Sequence, residues 1–301
     1  MIGIFDSGFG GLTVLKELLN QLPEYNYIYL GDNARAPYGS KSPAVIYRYT
    51  KEAVDFLFQQ GCQLVIVACH TASAKALRQI QQEWLSEFDN QRRVLGVVIP
   101  VAEAAADYYQ EAKERGRLPW RLGIIGTRAT IESRVYEKEL AKILTFNKSG
   151  LKAEEQSQVE KKAVSLPADI EIYTQACPLL VPLVEEGWIK KPETKMILKK
   201  YLRPLKIKQV RALILGCTHY PLFQPQITKV MGRQVRIINT PPIVAEKLKD
   251  YLTRHPEIEK NLSRGNQVIF YTTDDTNRFK DLGSRFLGQP IAEVKSAVLE
   301  N

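Results

Sequence analysis

Two cysteines in this 301-residue sequence each directly follow a short run of apolar residues that ends in a small residue. One apolar run leads to Cys69 and the other leads to Cys217, and a threonine lies within two residues of each, as Thr71 or Thr218. Uninterrupted apolar runs of this length predict buried parallel strands. Open α/β sheets place their chemistry at the carboxyl ends of such strands, so both cysteines are candidate site residues.

A pair of thiols suits proton transfer at a carbon atom. A nucleophilic cysteine enzyme needs one cysteine and a histidine base, and the second cysteine would be surplus to that scheme. Two opposed thiols can act on the two faces of one carbon, because one thiolate removes a proton while the opposite thiol delivers another. A helix N-terminus lowers a thiol pKa from about 8.5, and the strand-to-helix position of both cysteines predicts that setting.

Three further ionisable residues are candidates for the same site. Asp6 ends the first strand, Glu185 ends an apolar run, and His219 lies two residues after the second cysteine. We predict that Asp6 and His219 tune or assist the thiols. A turn or cap role is the alternative for Asp6 and Glu185, and a hydrogen bond to a loop carbonyl is the alternative for His219. The loops 6–11 and 37–39 offer backbone N–H groups for a substrate carboxylate.

Nucleotide and metal sites are not favoured by the motifs. The glycine-rich segment 8–11 lacks the lysine of a phosphate-binding loop and departs from the dinucleotide-binding pattern. A zinc site is conceivable, but adjacent Cys-His pairs chelate poorly compared with Cys-x-x-Cys. Its ligands would be Cys69, His70, Cys217 and His219. We therefore predict no metal and no cofactor.

The composition is that of a globular protein, with 45% hydrophobic residues. No run of about 18 apolar residues occurs, and the N-terminus lacks the features of a signal peptide. We therefore expect a cytoplasmic protein with no membrane partner. Four cysteines in such a chain are not a disulfide framework, so Cys62 and Cys177 are predicted to be buried thiols.

The net charge of +9 is concentrated in one segment. Between Ile189 and Arg211 nine basic residues face one acid, Glu193, and apolar residues recur at helical spacing. One interpretation is an amphipathic surface helix with a solvated basic face. The other is a binding patch for nucleic acid or another polyanion, and no nucleic-acid motif accompanies it. We therefore do not expect a nucleic-acid partner.

Strand and helix signals alternate along the chain and predict an α/β fold with doubly wound parallel sheets. A second strand series opens at Arg121–Gly126 and echoes the first strand and turn, which indicates two similar halves. Helices are predicted over Ser73–Phe88, about Val101–Glu114 and Ser133–Ile143, and a strand over Val94–Val98. The polar segment 146–168 is predicted to be a surface loop.

Several motifs together resemble the glutamate racemases of the cofactor-independent aspartate/glutamate racemase superfamily. The resemblance is carried along nearly the whole chain by residues 5–12, 31–39, 68–74, 177–187 and 215–222. It implies two α/β domains with the active site in the cleft between them. The first would comprise residues 1–97 plus 243–301, and the second would comprise 98–242.

The resemblance also implies an activity. It implies interconversion of L- and D-glutamate without pyridoxal phosphate or metal, supplying D-glutamate for peptidoglycan, and a possible homodimer. By motif position Cys69 and Cys217 would be the two acid/bases. Asp6 would assist on the Cys69 side, and Glu185 with His219 would assist on the Cys217 side. The substrate would be lined by Asp6, Ser7, Pro37, Tyr38, Gly39, His70, Thr71, Thr218 and His219.

Two departures from the family pattern leave the substrate open. His70 stands where the family usually has asparagine, and Asn239-Thr240 replaces an Asp-Ser type pair. Histidine is bulkier than asparagine and can ionise, so it could bind the substrate differently or shift the Cys69 pKa. The alternatives are a racemase of the same fold acting on aspartate or another amino acid, a weakly active homologue with a binding role, and a thiol hydrolase.

Overall fold

Two parallel sheets organise the chain in the computed structural model, which describes residues 1–88, 91–149 and 165–299. The strands are β1 (Ile2–Asp6), β2 (Tyr27–Gly31), β3 (Leu64–Val67), β4 (Arg93–Gly96), β5 (Trp120–Gly126), β6 (Ile170–Ala176), β7 (Ala212–Gly216), β8 (Arg236–Ile238), β9 (Val268–Thr272) and β10 (Lys295–Ser296). The first sheet has the order β10-β9-β2-β1-β3-β4 and the second has the order β6-β5-β7-β8. Every strand pair in both sheets is parallel, so the predicted fold class is confirmed.

Helices connect these strands, as parallel pairing requires. They are α1 (Leu12–Gln21), α2 (Pro43–Gln59), α3 (His70–Lys75), α4 (Leu77–Gln79), α5 (Leu85–Phe88), α6 (Val98–Glu114), α7 (Arg128–Ser133), α8 (Val135–Ser149), α9 (Leu180–Glu185), α10 (Pro192–Ile207), α11 (Gln224–Met231), α12 (Thr240–Arg254), α13 (Pro256–Glu259) and α14 (Thr276–Leu287). None of the helices in the described ranges is long and apolar enough to cross a membrane.

The central strands are buried because their sequences are apolar on both faces. Every residue of β1, β3 and β7 is buried, so helices cover both sides of these strands. One apolar cluster includes Ile4 of the first sheet, Leu215 of the second and the helical residues Leu15 and Leu248. The two sheets therefore share a packed interface. The domain boundaries at 97/98 and 242/243 stay a prediction.

Three predicted elements differ in their bounds. The helix predicted over Ser73–Phe88 begins at His70, and Ile80–Trp84 forms a π-helical turn between α4 and α5. The strand predicted over Val94–Val98 ends at Gly96, and α6 begins at Val98 with Pro100 in its first turn. Proline lacks only an N–H that the first helical turn leaves unpaired, so it opens this helix instead of merely ending the strand.

The single helix predicted over Ser133–Ile143 corresponds to two helices in the structure, α7 and α8. α7 ends where Arg134 adopts a left-handed backbone conformation, with φ of 54°, and α8 then runs to Ser149. The loop predicted over 146–168 was therefore wrong for its first four residues, and residues 150–164 lie outside the described residues. The basic segment forms α10 as its pattern predicted, with Leu198, Leu202 and Leu205 on the buried face.

Candidate active site

Cys69 lies where β3 gives way to α3, and its side chain is only 5% exposed. Its sulfur lies 3.4 Å from Ser7 Oγ, which follows β1 in the same sheet. The backbone N–H of Ala72 also points at the sulfur. Parallel pairing of β1 with β3 brings the ends of both strands to one edge, which is why residues 62 positions apart meet here.

Burial controls the protonation of Cys69. Desolvation, reinforced by the negative charge of Asp6, raises the pKa of the Cys69 thiol to about 12 although Ser7 and the Ala72 N–H oppose the shift. The expectation that the helix N-terminus would lower this pKa was wrong, because α3 is short and the thiol is buried. In this state Cys69 is a protonated thiol at neutral pH. A negative charge on Cys217 would raise the pKa of Cys69 further, so the two sulfurs lie within electrostatic range of each other.

Asp6 joins the two halves of the site. Its side chain is 1% exposed, and its carboxylate accepts a hydrogen bond from the Gly8 N–H at 3.0 Å and one from Thr218 Oγ1 at 3.3 Å. The Gly11 N–H also donates to it. Burial raises the Asp6 pKa, while the charge of His219 and these donors lower it. Because Asp6 takes the N–H groups of Gly8 and Gly11, these two are not free for a substrate carboxylate as the sequence had suggested.

Cys217 belongs to a chain of three side chains. Its sulfur lies 3.9 Å from His219 Nδ1, and His219 Nε2 lies 3.0 Å from Glu185 Oε1 at the end of α9. Cys217 and His219 are 6% and 5% exposed. Burial by itself would lower the His219 pKa, but the hydrogen bonds to Cys217 and Glu185 outweigh it and raise the pKa to about 10. His219 is therefore a cation at neutral pH, held between a sulfur and a carboxylate.

The turn after β1 packs directly against the Cys217 loop. A Cβ placed on Gly10 would lie 2.2 Å from Thr218 Oγ1 and 2.5 Å from His219 Nδ1. Thr13 Oγ1 in α1 lies 2.8 Å from the Gly10 carbonyl oxygen and 3.1 Å from that of Thr218. Position 10 must therefore be glycine, because any side chain there would displace the histidine that touches Cys217.

The loop that carries Pro37, Tyr38 and Gly39 connects β2 to α2. Tyr38 is buried in the same cluster as Cys69 and donates its hydroxyl to Asp32. Pro37 is exposed. Gly39 meets the second half of the chain, since a Cβ on it would lie 2.8 Å from Thr127 Cβ. The loop therefore packs against the second half of the chain, and its role in substrate binding stays a prediction.

Three threonine hydroxyls meet next to this loop. Thr71 Oγ1 lies 2.9 Å from Thr127 Oγ1 and 3.4 Å from Thr130 Oγ1, and the last two are 2.9 Å apart. Sequence reasoning included Thr71 but missed Thr127 and Thr130. The available signal was their position directly after β5, which echoes the end of β1. Such a cluster of small donors can bind an anionic or polar group.

His70 is held in one tautomer. Thr240 Oγ1 donates to the Leu215 carbonyl oxygen at 3.2 Å and therefore accepts from His70 Nε2 at 3.0 Å. Within the described residues His70 Nδ1 is buried without a hydrogen-bond partner. Burial lowers the His70 pKa to about 3, so the ring is neutral and Nδ1 is an acceptor. The sequence-based possibility that His70 carries charge is thereby excluded for this state.

Comparisons with known proteins relate this chain to one family. A family described as Asp/Glu/Hydantoin racemase matches residues 2–248. A protein named glutamate racemase from Geobacter metallireducens is 36% identical over 299 residues, covering 99% of this chain and 97% of its own length. The structure of a glutamate racemase isoform from Bacillus anthracis has a TM-score of 0.80 with 32% identity, covering 99% of this chain and 97% of that chain.

A second solved structure carries a ligand. The glutamate racemase from Francisella tularensis, in complex with D-glutamate, has a TM-score of 0.79 and 30% identity to this chain. The match covers 99% of this chain and 97% of the Francisella chain.

Gly10→Ala should destabilise the protein by about 1–3 kcal/mol, as overpacking of a close contact does. The added methyl would collide with Thr218 and His219. Gly8→Ala is the matched control, because its Cβ would find no atom closer than 3.8 Å. Denaturant unfolding of both variants measures the difference in the free energy of unfolding. Equal effects at the two positions would contradict the packing described here.

The stabilising contribution of His219 should be lost at alkaline pH. Its folded pKa of about 10 lies above the unfolded value of 6.5, so its contribution is complete below pH 6.5 and is lost as the pH rises through 10. The stability difference between the wild type and His219→Gln should therefore shrink across this range. His255→Gln is the control, since His255 also faces a carboxylate, Glu257 at 3.0 Å, but at the surface. A difference that grows with pH would refute the assignment.

Proposed function

The chain belongs to the Asp/Glu/hydantoin racemase family, and we propose that it interconverts L- and D-glutamate by proton transfer between two thiols. One observation carries the proposal. Each sheet presents a buried thiol at the carboxyl end of a central strand, and each thiol has its own polar partner. A nucleophilic mechanism would use one of these thiols and leave the other without a role.

The reaction balances without an external reagent. A thiolate takes the proton from the α-carbon, so that a C–H bond breaks and an S–H bond forms. The thiol on the other face then gives its proton to the carbanion, so that an S–H bond breaks and a new C–H bond forms. The configuration inverts because the proton arrives on the face opposite to the one it left. The enzyme ends with its two protonation states exchanged, ready for the opposite enantiomer.

The two sides of the site begin in different states. Cys69, with a pKa of about 12, is the proton donor of the ligand-free form. On the other side the His219 cation lies between Cys217 and Glu185, where it can donate to a Cys217 thiolate. We assign Cys217 as the first base, with His219 and Glu185 as its partners. Asp6 assists on the Cys69 side, as the family resemblance implies.

We assign the surrounding polar groups to substrate binding. The hydroxyls of Ser7, Thr71 and Thr218 line the strand ends that carry the two thiols, and the backbone of 37–39 closes one side. Thr127 and Thr130 extend this set, because they share hydrogen bonds with Thr71. Hydroxyl groups of this kind can hold a substrate carboxylate by donation. His70, with a free Nδ1 lone pair, accepts rather than donates.

The physiological setting is part of the same proposal. We propose that the enzyme works in the cytoplasm, without metal or pyridoxal phosphate, and supplies D-glutamate for peptidoglycan synthesis. Pairing of two copies into a homodimer is proposed from the family resemblance.

The decisive experiment is racemisation of L- and D-glutamate by the purified protein in deuterated water. Loss of optical activity by circular dichroism is expected from both enantiomers. In proton NMR the first product formed should lack the α-proton signal, because it carries a deuteron, while unreacted substrate keeps its α-proton. This is expected because the donor thiol exchanges with solvent and the base is a different residue. Product that retains the original proton would contradict a two-base mechanism.

Variants and a second substrate complete this test. Cys69→Ala and Cys217→Ala should each abolish racemisation, while Cys62→Ala, which removes a buried thiol outside the site, should retain it. Aspartate runs in parallel. Activity on aspartate alone would keep the chemistry and change the substrate, and hydrolysis of activated esters with acyl-enzyme formation would replace the proposal by a thiol hydrolase.

His70→Asn tests the departure from the family pattern. The shorter side chain should lose the bond to Thr240 and leave a space, which costs about 1–3 kcal/mol of stability. Because the His70 pKa is about 3, the ring does not titrate near neutrality, so the pH–rate profile should keep its shape. Denaturant unfolding and a pH–rate profile of both proteins check this. A profile that changes between pH 5 and 8 would show that His70 ionises during the reaction.

A further inference from the structure

A basic groove lies between α10 and α11, outside the site described above. It has a volume of about 630 Å³, within the range of about 300–1,000 Å³ for small-molecule sites. Seven of its lining residues are cations, and none of the lining residues in the described part of the chain is acidic. They are Lys190, Lys191, Lys195, Lys199, Arg203, Lys206 and Lys229.

Four of these cations form a row along one side of α10. Lys195, Lys199, Arg203 and Lys206 are spaced by four, four and three residues, so at 100° per residue they lie within an arc of about 80°. At a rise of about 1.5 Å per residue the row is about 16 Å long, with roughly one cation per turn. Lys229 of α11 lines the facing wall, so cations border the groove from two helices.

The described part of the chain provides no acidic partners for these cations. Within residues 1–88, 91–149 and 165–299 none of the seven forms an ion pair, and Lys206 Nζ donates only to the Val230 carbonyl oxygen, at 2.9 Å. Like charges gathered around one concave surface repel each other, and a bound anion would relieve that repulsion. A purely solvated helix face would not need a second helix to supply a facing lysine.

We propose that this groove binds a linear oligophosphate. A single carboxylate or phosphate reaches only one or two members of a 16 Å row, whereas a chain of phosphates presents negative oxygens along its whole length. The length and the repeated charge of the cation row therefore select a linear polyanion over a compact one.

The remaining groove residues favour a bare phosphate chain over other linear polyanions. The floor is apolar, with Ile189, Leu198 and Val230, and Gln226 is the one neutral polar residue among the described lining residues. An acidic peptide would leave backbone N–H and C=O groups unpaired on this floor. Proteins that bind single-stranded nucleic acid commonly add aromatic faces on which the bases stack, and the described lining residues include none.

The experiment is calorimetric titration of the full chain with inorganic tripolyphosphate, compared with orthophosphate at equal ionic strength. Tripolyphosphate should bind saturably and more tightly than orthophosphate, and its affinity should fall as salt is added. Lysine acetylation followed by mass spectrometry locates the site. Tripolyphosphate should protect Lys195, Lys199 and Lys229 and leave Lys249 reactive.

Two matched triple variants separate the groove from net charge. Lys195→Gln, Lys199→Gln and Lys229→Gln together should weaken binding by about tenfold or more, since direct charge-assisted contacts are lost. The control combines Lys249→Gln, Lys260→Gln and Lys280→Gln, three exposed lysines on other elements, and should change affinity by less than about twofold. Both triples remove three positive charges, and neither touches the residues assigned to catalysis.

Three outcomes would overturn the proposal. They are absence of saturable tripolyphosphate binding, equal weakening by the two triple variants, and tighter binding of a single-stranded oligonucleotide than of a polyphosphate with the same number of phosphates. The last outcome would identify a nucleic-acid surface. Because binding is measured without turnover, each result is independent of whether the racemase proposal holds.

Discussion

The contact between the turn after β1 and the turn after β7 is the constraint on which the rest of the site depends. Gly10 lies against Thr218 and His219, and Asp6 accepts a hydrogen bond from Thr218. These two turns come from different sheets. Their contact therefore fixes both the distance between the sheets and the orientation of the groups around Cys217. The closeness is possible because glycine has no side chain at position 10.

Burial around this contact shifts the pKa values of the site's ionisable groups. Removing Cys69, Asp6 and His219 from water disfavours their charged forms, so each charge that persists must have a specific partner. Asp6 has backbone and hydroxyl donors, and His219 has Glu185. Cys69 has only weak donors, and its thiol stays protonated. The same desolvation that costs stability thus keeps Cys69 protonated, while the partners of His219 keep that ring charged next to Cys217.

His70 shows how a family departure is accommodated. Its ring extends from the end of β3 to Thr240 and, through that hydroxyl, to the backbone of β7. The side chain therefore links the strand that leads to Cys69 with the strand that leads to Cys217, through neutral hydrogen bonds. A neutral link does not alter the charge balance between the thiols, because a ring whose pKa is about 3 carries no charge at neutral pH.

The sequence by itself determined the two parallel sheets, the strand ends that carry Cys69 and Cys217, and the amphipathic basic helix. These features follow from local apolar runs and helical periodicity, which depend on neighbouring residues alone. Only the tertiary structure decided the partners and the protonation. The raised pKa of Cys69, the neutral state of His70 and the meeting of Thr127 with Thr71 depend on burial and on contacts between residues far apart in the chain. Sequence spacing carries no measure of either desolvation or long-range distance, so these properties could not have been derived from it.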